Sequence, residues 1–226
     1  MFLSNFWHQR RTLVNKKTWK YFSITKKFAS IKYWEEFYAR EDDARSKSFE
    51  WFLQYNTIEP IIISKLPQKC SVLHIGCGTS NVGVNLAKQG FKVKEVDASK
   101  NAIKRCKELH SENLGQAEFF VAKAQELPFE SCSIDAAIDK GTLDALLCGY
   151  EEDAHMMLAD VHRILKKNGV YIQITTEAPE LRKELFENAA TSFHKPYQWG
   201  SISFTEVSSE LNDDDYSYFI YFLEKK

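Results

Sequence analysis

The fold is decided by residues Val72–Asn81, which read Val-Leu-His-Ile-Gly-Cys-Gly-Thr-Ser-Asn. An apolar run ends there in a Gly-x-Gly turn, and an amphipathic segment follows it. Glycines suit such a turn because a side chain would keep the backbone away from a ligand. Asp97 ends a second apolar run 19 residues after Gly78, where an acid can bind ribose hydroxyls. The pattern predicts a strand and a helix start that hold a nucleoside-containing cofactor, and a plain tight turn is the alternative.

Strand-like and helix-like patterns alternate along the chain, whose 226 residues suffice for one domain with a sizeable core. A helical segment is expected across residues 31–65. Residues 153–166 carry apolar side chains at helical spacing, and Asn168-Gly169 predicts the end of that helix. Short apolar runs predict strands at residues 71–75, 91–96, 118–121, 134–138 and 170–175. This order predicts a parallel sheet with flanking helices.

The turn lacks the third glycine of the Gly-x-Gly-x-x-Gly dinucleotide fingerprint, because Asn81 occupies its position. That absence argues against a dehydrogenase, since the third glycine permits close packing of helix and strand. The segment instead resembles the first motif of the seven-stranded S-adenosylmethionine-dependent methyltransferases. Later motifs of that superfamily are matched in the expected order by Asp97–Ser99, Val121–Phe129 and Ile134–Asp139.

This resemblance implies an α/β fold, namely a Rossmann-like seven-stranded methyltransferase sheet with helices on both faces. Ser201–Glu206 and Tyr216–Leu223 resemble the C-terminal antiparallel hairpin that completes such a sheet. The implied cofactor is S-adenosylmethionine, with Asp97 on its ribose. The implied cofactor-binding residues from these motifs are Gly76, Gly78, Asp97, Lys123 and Ala124, the last two at the adenine.

One segment narrows the resemblance to a small group of protein-lysine methyltransferases that modify elongation factor 1A or citrate synthase. Residues Asp139–Asp144 read Asp-Lys-Gly-Thr-Leu-Asp and resemble the Asp/Glu-Lys-Gly-Thr-x-Asp signature of that group. The group's aromatic segment and acid-Trp-Phe motif are matched by Tyr33–Tyr38 and Glu50–Phe52. Tyr197–Gly200 and Tyr218–Leu223 most resemble the citrate synthase lysine methyltransferase. The resemblance implies citrate synthase as the protein partner, with elongation factor 1A as the alternative.

Two carboxylates of that signature are the predicted catalytic residues. The attacking lysine amine must be neutral, and a carboxylate could orient it or accept its proton. We predict that Asp139, at the carboxyl end of a strand, takes this role beside the cofactor, with Asp144 as the second choice. Alternatively, Asp139 caps a turn and Asp144 the next helix. The aromatic residues that match cofactor contacts of the family are Trp34, Tyr38 and Trp51, for which core packing is the alternative.

Three residues depart from the superfamily pattern. His74 stands where an Asp often ends the first strand, and Glu95 replaces a residue that is usually small. Lys123 stands where an Asp usually accepts a hydrogen bond from the adenine amine, and a lysine cannot accept one. These departures leave open another class of function, a non-catalytic methyltransferase-fold protein that serves as a binding partner.

Charge is distributed unevenly along the chain. Residues 1–34 contain eight basic residues and no acid, so the remainder carries a net charge of −9. This acidic body argues against nucleic-acid binding, which needs clustered cations. Residues 1–30 have the composition of a mitochondrial transit peptide, with a disordered basic segment as the alternative, and residues 31–226 form the predicted methyltransferase domain. We therefore expect the protein in the mitochondrial matrix, without stable membrane insertion. We also expect a monomer.

Cysteine and histidine usage predicts neither a metal site nor disulfides. The five cysteines form no Cys-x-x-Cys, and the six histidines show no ligand spacing. Disulfides are not expected in a reducing compartment. Cys77 fits a small buried residue in the cofactor turn better than a nucleophile.

Overall fold

A computed structural model of the protein describes residues 26–40, 49–112, 117–187, 197–208 and 217–226. Seven strands form one sheet, and they are β1 (Ser71–Ile75), β2 (Lys92–Asp97), β3 (Ala117–Val121), β4 (Ile134–Lys140), β5 (Leu165–Thr175), β6 (Trp199–Ser208) and β7 (Ser217–Lys225). The α-helices of the described ranges are α1 (Ile31–Ala39), α2 (Tyr55–Ile63), α3 (Val82–Lys88), α4 (Lys100–Leu109), α5 (Thr142–Leu147), α6 (Glu151–Ile164) and α7 (Pro179–Glu187). A 3-10 turn at Lys26–Ala29 precedes α1.

The strands lie in the order β3-β2-β1-β4-β5-β7-β6. β7 runs antiparallel to β5 and to β6, whereas the other neighbouring strands are parallel. The predicted seven-stranded Rossmann-like sheet with a C-terminal antiparallel hairpin is therefore confirmed. The strand order reverses between β1 and β4, and sheets of this kind bind ligands outside the carboxyl ends of the strands at that point.

Apolar layers cover both faces of the sheet. Successive side chains of a strand point to opposite faces, so Val72 and Leu73 of β1 belong to different layers. Ile58 of α2 packs in the layer of Val72, whereas Met157 of α6 packs in the layer of Leu73. Each fully buried side chain of this size stabilises the fold by about 1.5–3 kcal/mol. Both layers thus fix the strand ends that carry the site.

The largest difference from the predicted elements lies between α6 and β5. The predicted helix continues to residue 166, but α6 ends at Ile164 and the next residue, Leu165, is already extended. Asn168, with φ +61°, lies inside β5 rather than at a helix stop. Leu165 pairs with Ile134 and Val170 pairs with Ala136, so five residues of β5 span two of β4. The Asn-Gly pair therefore forms an irregularity at the start of a long strand.

The helical segment expected across residues 31–65 is divided into two helices. α1 and α2 are separate helices, and Phe52 between them has φ +62°. The 3-10 turn at Lys26–Ala29 lies within the predicted transit segment, and its Phe28 side chain is buried. The folded part thus includes residues before position 31, whereas residues 1–25 of that segment lie outside the described residues. None of the helices in the described ranges is long and apolar enough to cross a membrane.

Candidate cofactor and active site

The turn after β1 requires glycine for two separate reasons. Gly76 and Gly78 have φ values of +62° and +51°, which L side chains rarely adopt. A Cβ at Gly76 would overlap the Thr142 side chain, and a Cβ at Gly78 would overlap the Tyr38 hydroxyl. The bare backbone of the turn is therefore enclosed by side chains from β4–α5 and from α1.

Asp97 lies beside this turn at the end of β2. Its carboxylate accepts hydrogen bonds from the Gly78 N–H at 2.9 Å and from the Ser99 N–H at 2.8 Å. Desolvation raises the pKa of Asp97 to about 6, although these two hydrogen bonds oppose the shift. Each carboxylate oxygen can accept a further hydrogen bond, so the pair fits two adjacent ribose hydroxyls. Ser99 caps α4 as its sequence position allows, because its hydroxyl accepts from the Ala102 N–H at 3.0 Å.

Glu35, for which the sequence predicted no role, holds helix α1 over the site. The Glu35 carboxylate accepts hydrogen bonds from the N–H groups of Lys100 and Asn101 at the start of α4, at 2.8 and 3.2 Å. Carboxylates are favourable at this end of a helix because its first N–H groups have no partner within the helix. On the same helix, the Trp34 indole N–H donates to the Phe28 carbonyl oxygen at 2.7 Å. Residues 26–39 therefore form a cover over the turn after β1.

Between this cover and the carboxyl ends of β1, β2 and β4 lies a cavity of about 480 Å³, a typical ligand-pocket size. Phe28, Ala29 and Gln125 line it beside residues predicted from the sequence. The predicted cofactor residues that line the cavity are Trp34, Tyr38, Trp51, Gly76, Asp97, Lys123 and Ala124. Gly78 lies beneath Tyr38. The structure thus brings most of the predicted cofactor site together.

A buried ion pair joins the two motifs that resemble the lysine methyltransferase group. The side chains of Lys140 and Glu50 are in contact, and they are only 2% and 3% exposed. The Glu50 carboxylate also accepts from the Ser80 hydroxyl at 2.8 Å and from the Asn81 N–H at 2.6 Å. Lys140 donates to the Trp51 carbonyl oxygen at 3.0 Å. The pair therefore ties the Glu-Trp-Phe segment, the end of β4 and the cofactor turn into one unit.

The two predicted catalytic carboxylates lie behind the cavity wall. Asp139 is fully buried and accepts hydrogen bonds from the Thr142 N–H at 2.7 Å and the Tyr171 hydroxyl at 3.0 Å. Burial, followed by the charge of Asp144, raises the pKa of Asp139 to about 6. Asp144 pairs with the buried guanidinium of Arg182, and neither carboxylate is among the cavity-lining residues. The contacts of Asp139 match the alternative of a capping role, and its direct catalytic role stays a prediction.

Two departures from the superfamily pattern form a single buried contact. His74 and Glu95 lie opposite each other on β1 and β2, and the His74 Nδ1 is 2.8 Å from a Glu95 carboxylate oxygen. A side chain at Gly83 would overlap that carboxylate, so this glycine makes room for the pair. Neither His74 nor Glu95 lines the cavity. The substitution of His74 for an acid therefore does not by itself impair the cofactor site.

The third departure, Lys123, is accompanied by two polar residues that the sequence analysis passed over. Lys123 is exposed and lines the cavity, as do the partly buried Gln125 and Asp153. The Gln125 side-chain N–H donates to the Asp153 carboxylate at 3.0 Å. In the described ranges, no group of three or more His, Cys, Asp or Glu side chains is arranged to hold a metal ion.

Sequence comparisons show that the chain is similar to methyltransferases. The family described as "Methyltransferase domain" matches residues 72–169. The human "eEF1A lysine and N-terminal methyltransferase" is 30% identical over 165 residues, which cover 71% of this chain and 23% of that protein. The mouse "EEF1A lysine methyltransferase 4" is 27% identical over 193 residues, covering 80% of this chain and 72% of that protein. The chain thus spans less than a quarter of the length of the first of these relatives.

Solved structures agree on the fold. An S-adenosylmethionine-dependent methyltransferase from Methanosarcina mazei has a TM-score of 0.57 at 18% identity and covers 74% of this chain and 97% of its own. A TehB-like S-adenosylmethionine-dependent methyltransferase from Corynebacterium glutamicum has a TM-score of 0.55 at 17% identity and covers 90% of this chain and 99% of its own. The bare turn and the ribose-binding geometry of Asp97 fit the same cofactor. Residues 72–169 therefore match a methyltransferase domain, the fold is that of the S-adenosylmethionine-dependent methyltransferases, and the site fits S-adenosylmethionine as the cofactor.

Proposed function

We propose that the protein is a protein-lysine methyltransferase whose acceptor is mitochondrial citrate synthase. One observation carries the proposal of lysine methylation, namely the buried pair of Glu50 and Lys140. It joins the two segments that resemble the lysine methyltransferase group and holds both against the cofactor turn. The choice of citrate synthase rests on the resemblance of Tyr197–Gly200 and Tyr218–Leu223 to its methyltransferase.

The aromatic wall of the cavity would prepare the acceptor amine. When bound, S-adenosylmethionine supplies a methyl group already activated on a sulfonium. A free lysine has a pKa of about 10.4, whereas the attacking amine has to be neutral. Aromatic side chains exclude water, which lowers the pKa of an amine. Their faces also attract a cation such as the sulfonium of the cofactor. The aromatic lining residues are Phe28, Trp34, Tyr38, Trp51 and Phe52.

Asp139 supports the cavity wall through α5, and its predicted role of orienting the amine or accepting its proton stands beside this one. Its carboxylate holds the N–H groups of Thr142 and Leu143 in the first turn of that helix. Thr142, Ala145 and Leu146 of α5 line the cavity. Asp139 therefore positions one wall of the cavity.

Elongation factor 1A is the second candidate acceptor. The names of the human and mouse relatives described above call them methyltransferases of this factor. Those relatives share the methyltransferase domain, and the acceptor surface of this chain need not follow theirs.

Methyl transfer to both proteins in parallel tests the proposal. The full-length chain is incubated with labelled S-adenosylmethionine and with purified citrate synthase or elongation factor 1A in separate reactions. Asp97→Asn is expected to abolish labelling, and Glu36→Gln serves as its control because Glu36 is an exposed acid on α1 outside the cavity lining. Labelling of citrate synthase alone supports the proposal. Labelling of elongation factor 1A alone supports the second candidate, and labelling of neither by a cofactor-bound protein contradicts both.

We further propose a mitochondrial location, supported by the basic, acid-free composition of residues 1–34. Phe28 lines the cavity, so a mature chain that keeps the site would begin no later than about residue 26. A C-terminally tagged full-length chain tests the location by cell fractionation, and sequencing of the mature N-terminus tests the boundary. A cytosolic chain would contradict the mitochondrial location, and a mature start after Phe28 would contradict the proposed boundary.

A further inference from the structure

The adenine end of the cavity lacks the acid that the superfamily usually places after β3. Lys123 occupies that position, and an ammonium group can only donate hydrogen bonds. The exocyclic amine of adenine also donates, so the two groups cannot pair. A side-chain acceptor for this amine therefore has to come from another residue.

Asp153 is placed to supply this acceptor. It is the third residue of α6 and lines the cavity together with Lys123, Ala124 and Gln125. The Ala122 N–H donates to the Asp97 carbonyl oxygen at 3.0 Å, which ties the segment after β3 to the ribose position. Asp153 is therefore linked, through Gln125 and the segment after β3, to the part of the cavity towards which a base would extend from the ribose.

Gln125 fixes the orientation of this carboxylate. A carboxylate accepts only, so Gln125 has to present its amide N–H to the nearer Asp153 oxygen, which is 3.0 Å away. The second Asp153 oxygen accepts no hydrogen bond from any residue in the described ranges. The first turn of a helix also stabilises the ionised carboxylate through its unpaired N–H groups.

We propose that Asp153 reads the amine of the cofactor's adenine through its second carboxylate oxygen, and that Gln125 is a positioning residue for it. The function of the lost acid after β3 has thus moved to the start of α6. The inference rests on the cofactor of the proposed function but not on the protein acceptor, so a failure of either can be recognised separately.

Binding of two cofactor analogues tests this proposal without any methyl acceptor. Isothermal titration calorimetry compares S-adenosylhomocysteine with S-inosylhomocysteine, in which a carbonyl oxygen replaces the amine. The wild-type chain is expected to bind the adenosine form about 10- to 100-fold more tightly, as for loss of a charged hydrogen bond. Asp153→Asn, which can donate to the carbonyl, is expected to bring the ratio to within about threefold. Glu152→Gln, an exposed neighbour outside the cavity lining, should leave the ratio unchanged.

Two further variants guard against a fold defect. Lys123→Asp in the Asp153→Asn background is expected to restore at least about tenfold preference for the adenosine form, because an acid returns to its usual position. Gln125→Leu should lower the preference while Asp153 is intact, which tests the positioning role. Equal affinity of the wild-type chain for both analogues, or an unchanged ratio in folded Asp153→Asn, would overturn the proposal.

Discussion

The Glu50–Lys140 pair gives a quantitative prediction for both stability and cofactor binding. Glu50→Gln removes the only carboxylate that the described structure places against the Lys140 ammonium, which is almost fully buried. Lys140 then retains two carbonyl acceptors, of Trp51 at 3.0 Å and of Leu53 at 3.3 Å. Breaking a buried pair in this way costs about 3–5 kcal/mol, because an uncompensated charge stays inside the fold.

Lys140→Met should lower the free energy of unfolding by less than Glu50→Gln does. The remaining Glu50 carboxylate keeps two donors, the Ser80 hydroxyl and the Asn81 N–H. We expect a loss at the lower end of that range, about 3 kcal/mol. The double variant Glu50→Gln/Lys140→Met carries no buried charge, so its loss should be only about 1–2 kcal/mol. The two single losses together then exceed the loss of the double variant by at least about 4 kcal/mol, which is the interaction energy of this cycle.

A pH series separates this explanation from a simple packing defect. Burial lowers the pKa of Lys140, and Glu50 opposes that shift in the wild-type chain. Without Glu50 the folded pKa falls further below the unfolded value of about 10.4. The unfolded state then binds more protons, so the stability of Glu50→Gln should rise between neutral pH and about pH 10.

Urea unfolding followed by tryptophan fluorescence measures these differences. The same variants titrated with S-adenosylhomocysteine report the cofactor turn, where Glu50→Gln should weaken binding more than Lys140→Met because it alters the partners of Ser80 and Asn81. Additive losses in the double variant, together with a pH-independent loss in Glu50→Gln, would contradict a stabilising ion pair between Glu50 and Lys140.

Further predictions concern the cofactor turn, the ribose site and the cover. Because desolvation raises the pKa of Asp97 to about 6, protonation should weaken S-adenosylhomocysteine binding below about pH 6, and calorimetry of Asp97→Asn should lose this dependence. Gly78→Ala should weaken binding by about tenfold through its positive φ and its overlap with Tyr38. Adding Tyr38→Phe should recover part of this loss, and a double variant no better than the single would contradict the steric explanation. Phe28→Ala should cost about 3 kcal/mol in urea unfolding and weaken cofactor binding, whereas unchanged values would place Phe28 outside the site.

The residues that the sequence identified best are those with a direct chemical requirement. A strand, a turn that needs glycine and an acid at the end of the next strand are readable without knowledge of distant contacts. This is why the fold and the Gly76, Gly78 and Asp97 cluster could be predicted. The prediction of the adenine end was less complete, because Asp153, the proposed contact, lies on a helix that begins about 30 residues after the segment following β3.

Contacts between residues that are far apart in the sequence could not be predicted from it. His74 and Glu95 are separate anomalies in the sequence, and only the register of β1 with β2 makes them one contact. Strand alternation explains the position of Asp139, since consecutive residues of β4 point to opposite faces. Lys140 therefore meets Glu50 while Asp139 faces Tyr171 and the start of α5. The signature alone did not reveal which of the two neighbours borders the cavity.

Methylation of lysine side chains of a protein is the activity that we propose for this chain. Mass spectrometric fragmentation of citrate synthase, after incubation with the full-length chain and labelled S-adenosylmethionine, tests it most directly. A methyl group is expected on the side-chain nitrogen of a lysine, and it should be absent with Asp97→Asn. Unmodified citrate synthase in the presence of a cofactor-bound enzyme, or a methyl group on any other kind of residue, would contradict it.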